Sequence, residues 1–67
     1  MPDVTDLLCL KRLYQNAYAM LRFHEAGDDP RSGVLAHEMA LDVGELGKAL
    51  RTLGLTSNDL RTLEREA

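Results

Sequence analysis

Between Val4 and Ala26 the residues Leu7, Leu10, Tyr14, Ala17 and Leu21, continued by His24, fall at alternating steps of three and four. That is the spacing of an apolar helical face and of a coiled-coil seam. Leu8, Leu13, Met20 and Phe23 widen this stripe beyond what one neighbouring helix covers. A second stripe runs through Leu35, Met39, Val43, Leu46, Leu50 and Leu53 in steps of three or four, unbroken to Gly54. Leu60 and Leu63, with Leu55 just ahead of them, make a shorter third set. No stretch alternates in the manner of a strand.

Punctuation between the stripes sets the expected boundaries. Asp3 is placed to cap the first helix, Asp6 to favour its N-terminal dipole, and Gly27 to end it in a left-handed conformation. In Gly27-Asp28-Asp29-Pro30, Asp29 is the expected cap of the second helix and Pro30 its first residue. Thr56-Ser57-Asn58-Asp59 reads as a capping box with Asp in place of Glu or Gln. The expectation is a single all-α domain over residues 1–67, with helices at about 4–26, 30–53 and 57–66. Two helices of about 34 Å each, joined by a short turn, form an antiparallel hairpin, and the short C-terminal helix folds back over one end.

Beside the second stripe runs a row of small residues, Ala36, Ala40, Gly44 and Gly47, suited to close helix approach. The competing reading treats those glycines as a break, with Asp42 and Glu45 capping a separate helix. In that form the segment Ala36 to Leu53 resembles a DNA-binding helix-turn-helix: Ala40, Gly44 and Leu50 have its spacing, and Met39, Val43 and Leu53 take its other apolar positions. The resemblance implies a transcriptional regulator that contacts DNA through Lys48 and Arg51. Glu38, Asp42 and Glu45 outnumber those bases, so the counterion-release contribution to DNA affinity would be small.

Composition narrows the rest. Eleven acids against eight bases leave a net charge of -3, which disfavours nucleic acid as a partner. Met1 to Asp6 carries two acids, and the apolar run Leu7 to Leu10 is cut by Lys11 and Arg12. Neither a signal peptide nor a membrane span is expected, and a cytoplasmic location follows. Cys9 is the only cysteine, so no disulfide within the chain is possible, and it reads as a small hydrophobe. His24-Glu25 and His37-Glu38 would lie at similar heights in a hairpin, yet one chain supplies too few ligands for a closed metal site. No nucleophile-base arrangement or glycine-rich phosphate loop is present, so no enzyme, cofactor or metal is expected.

A chain of 67 residues is marginal unless something enlarges its core. The expectation is therefore a homodimer forming a four-helix bundle, acting as a protein-interaction module: a small regulator, adaptor or inhibitor. Its expected interface residues are Leu7, Leu10, Tyr14, Tyr18, Leu21 and Phe23 on the first helix.

Overall fold

The computed structural model describes residues 4–67, and every regular element among them is helical. Helix α1 spans Val4–Glu25, α2 spans Pro30–Thr52 and α3 spans Ser57–Arg65. The short connection between α1 and α2 forces them into an antiparallel hairpin, and they pack along their length. α3 lies back against α1. The result is a rod of 42 × 19 × 18 Å. Its radius of gyration, 12.6 Å, exceeds the roughly 10.9 Å of a compact chain of this length.

The ends of these helices are set by local chemistry. The Asp29 carboxylate accepts a hydrogen bond from the Arg31 backbone N–H at 2.9 Å, with Pro30 opening the helix as its first residue. Before α3, the Thr56 hydroxyl accepts from the Asp59 N–H at 3.2 Å, and the Asp59 carboxylate accepts from the Thr56 N–H at 2.8 Å. That reciprocal box satisfies two donors that a helix start leaves open. The N–H of Thr56 also holds the Asp59 carboxyl below the usual carboxylate range. The expected cap Asp3 lies outside the described residues.

The left-handed helix end is not at the glycine where it was expected. Gly27 is not left-handed; the left-handed glycine is Gly54, with φ of 104°. After Gly54 the Leu55 N–H bonds back to the Leu50 carbonyl and the Gly54 N–H to that of Arg51, which together make a Schellman motif closing α2. At the other turn, the Gly27 N–H reaches back only three residues, to the His24 carbonyl, so α1 closes by tightening its last turn instead. Gly27 is needed for space, because a Cβ there would collide with the Ser32 side chain.

α2 runs without interruption through Asp42 and Glu45, so the break and the turn that a helix-turn-helix needs between Ala36 and Leu53 are absent. Continuity of the apolar stripe outweighs the cost of about 1 kcal/mol that each interior glycine adds. Only Gly47 of the small-residue row is buried. A Cβ on it would meet the Tyr14 ring at 3.6 Å and Leu60 at 3.8 Å, and there α3 comes closest to the hairpin.

The core among the described residues is Tyr14, Leu50 and Leu60, one from each helix, and of these Leu50 is fully buried. Leu7, Leu10, Val43, Leu46, Leu55 and Leu63 pack around them. All nine lie toward the end where α1 begins, α2 ends and α3 folds back.

Candidate docking surface

Six residues on α1 were expected to form an interface, and the fold divides them. Leu7 and Leu10 pack into the chain's own core, and Tyr14 is 3% exposed within it. Tyr18 and Leu21 are half-buried, and Phe23 is exposed. The Tyr14 hydroxyl donates to Glu64 Oε1 of α3 at 2.7 Å. Burial, with the acceptor carboxylate beside it, pushes the phenol up to about 12. One residue further on, the Gln15 side-chain amide donates to the Leu63 carbonyl at 3.2 Å. α3 thus occupies the flank of α1 that a partner helix was expected to cover.

The apolar surface left open lies elsewhere. Leu13, Ala17 and Met20 of α1 and Leu46 of α2 line a groove along the hairpin, edged by Asn16, Asp42 and Glu45. Leu60 of α3 sits against Gly47, one residue on from Leu46 and therefore about 100° around the helix, so α3 leaves this groove uncovered. Toward the turn further apolar side chains stand open to solvent. Met20 is 46% exposed, Phe23 71%, Val34 62% and Leu35 40%. Leu8 and Leu41 are exposed on outer faces of the two helices. Leu13 and Met20 had been legible in the sequence as the widening of the first stripe. Val34 and Leu41 lie off the second stripe, and nothing in the pattern singles them out.

The total accessible surface is 5011 Å², against about 4,250 Å² for a compact monomer of 7.5 kDa. The excess approaches the roughly 800 Å² that each partner buries in a stable protein interface.

The remaining sequence candidates are placed as follows. Lys48 lies 3.9 Å from Glu45 across one turn of α2, both side chains in solvent, an arrangement that contributes little. Arg51 donates to the Ser57 hydroxyl at 3.2 Å and so ties the end of α2 to the start of α3. Both belong to the continuous α2 rather than to a separate reading helix. His24 packs edge-on against Phe23 with ring centroids 5.4 Å apart, and His37 is exposed. Among the described residues no three of His, Cys, Asp and Glu come together as a ligand group. Cys9 is exposed on α1 rather than held in the core. No helix of the described residues is long and apolar enough to cross a membrane.

Comparison with known proteins finds no matching family model, no matching curated protein and no matching solved structure.

Proposed function

We propose that this chain is a small non-enzymatic protein-interaction module that works as a homodimer, its two hairpins packed through the groove face into a four-helix bundle. The observation that carries the reading is the uncovered apolar groove of Leu13, Ala17, Met20 and Leu46, continued by Phe23, Val34 and Leu35 toward the turn. Apolar side chains left in water along one groove are the kind of surface that marks an interaction site. A second copy is the occupant best matched to it. The groove runs along a straight hairpin, and two such hairpins side by side would bring an elongated rod to the proportions of a compact bundle. The surplus surface of one chain is also near what a stable dimer takes from each partner. In the dimer, Leu41 on the outer side of α2 remains as an anchor for a further protein.

Light scattering across a hundredfold range of concentration, with melting recorded alongside, tests this. The expected result is a mass of two chains and a melting temperature that rises with concentration. Met20→Asp places an unpaired charge in the joint and should return a folded monomer with unchanged helicity. A wild-type monomer whose melting is independent of concentration would overturn the proposal.

A further inference from the structure

α3 does more than close the core. Arg61 and Arg65 stand four residues apart on one face of α3, with Asn58 three residues before Arg61. Across from them α1 presents Tyr18 and Arg22, also four apart. These five side chains line a single open cleft between the two helices, about 710 Å³ in volume. It lies on the α3 flank of α1, away from the Leu13–Met20 groove.

None of the three guanidinium groups is in an ion pair among the described residues. The one ion pair among the described residues is Lys48 with Glu45, elsewhere on the chain. Arg22 donates to the Tyr18 hydroxyl at 3.2 Å and stacks 6.0 Å from the ring centre, which holds its fork over the cleft. Arg65 has one contact, to the Thr62 hydroxyl at 3.3 Å. Arg61 makes no hydrogen bond or ion pair at all within the described residues. The acid of the lining, Glu64, has one carboxylate oxygen committed to the Tyr14 hydroxyl. Glu25, three residues beyond Arg22, lies outside ion-pair distance of it. In a chain of net charge -3, a cleft lined by three arginines and one glutamate, with Ala67 at its edge, reverses the sign locally.

We propose that this cleft binds a diphosphate group. Planar guanidinium forks match phosphate oxygens two at a time, and three of them from two helices suit an anion carrying two linked phosphoryl groups. The Asn58 amide supplies a neutral donor at the same edge. Whether the diphosphate is free or part of a nucleotide does not alter this chemistry. Tyr18, already stacked with Arg22, would lie beside any group attached to it.

The test is calorimetric titration of the full chain with inorganic pyrophosphate at low ionic strength, with orthophosphate and sulfate at matched ionic strength as comparisons, and ADP to separate the free from the nucleotide form. The expected result is saturable binding of one pyrophosphate per chain, and a melting temperature that climbs with the logarithm of its concentration. Arg61→Gln with Arg65→Gln should weaken binding by at least about tenfold. Arg22→Gln, on the other helix, should do the same. These side chains lie outside the core, so helicity and ligand-free melting should be unchanged. Lys48→Gln should bind as the wild type does. Tighter binding of ADP than of pyrophosphate would assign the site to nucleotides. Absence of saturable binding, an equal response to sulfate, or undiminished binding in both arginine variants would overturn the proposal.

Discussion

The two ends of the hairpin are built from the same kinds of residue and reach opposite outcomes. Where α3 folds back, Leu50 is wholly buried, Leu60 is 5% exposed, and even a tyrosine hydroxyl finds a protein partner. Near the turn between α1 and α2, Phe23 and Val34 stand mostly in water although they belong to the same two helices. Two helices bury only the strip between them, and each needs a third neighbour before its stripe closes. α3 is nine residues long and reaches only one end. The contrast separates an apolar residue that stabilises the monomer from one that remains free for a partner.

Breaking the covered end should have the largest effect. Leu50→Ala removes a side chain with no exposure and should cost about 3 kcal/mol in urea unfolding, a large share of the stability of so small a chain. Next, Tyr14→Phe should cost about 1 kcal/mol by deleting the bond to Glu64. The same phenol gives this end a pH signature. Its folded value of about 12 lies above the ordinary 10, so the native state holds the proton more tightly. Stability should be intact below pH 10, fall between pH 10 and about 12, and fall less in Tyr14→Phe. A mutation of opposite sign probes the helix that joins the two ends. A Cβ on Gly44 meets nothing within 4 Å, so Gly44→Ala should stabilise by up to about 1 kcal/mol in thermal melting. Destabilisation there would mean that α2 does break. At the bare end Phe23→Ser should have the smallest effect, within about 0.5 kcal/mol for the monomer, as unfolding at high dilution would measure.

The elements that depend on neighbours in sequence were legible in advance. Asp29 with Pro30, and Thr56 with Asp59, carry their capping chemistry within four residues, and both caps are present in the structure. The unbroken step of leucines through Gly44 and Gly47 also favoured a continuous α2. What escaped the sequence depended on where α3 comes to rest. Tyr14 and Glu64 lie 50 residues apart, so no spacing rule joins them. The same landing takes Leu7, Leu10 and Tyr14 into the chain's own core and leaves Leu13 and Met20 open. The left-handed glycine was placed at Gly27 rather than Gly54 because both follow a helix. Which one turns left-handed depends on whether the chain continues into Leu55 packing beneath it, as it does after α2. The cleft of Arg22, Arg61 and Arg65 was invisible for a related reason, since charges spread along a sequence show no convergence until two helices meet.

Because the chain has no tryptophan and only two tyrosines, its near-ultraviolet spectrum is a narrow instrument. The phenol bonded to Glu64 ionises only near pH 12 while α3 is docked. The share of tyrosinate absorbance that waits for that pH would therefore count the molecules whose C-terminal helix is in place, with no label attached.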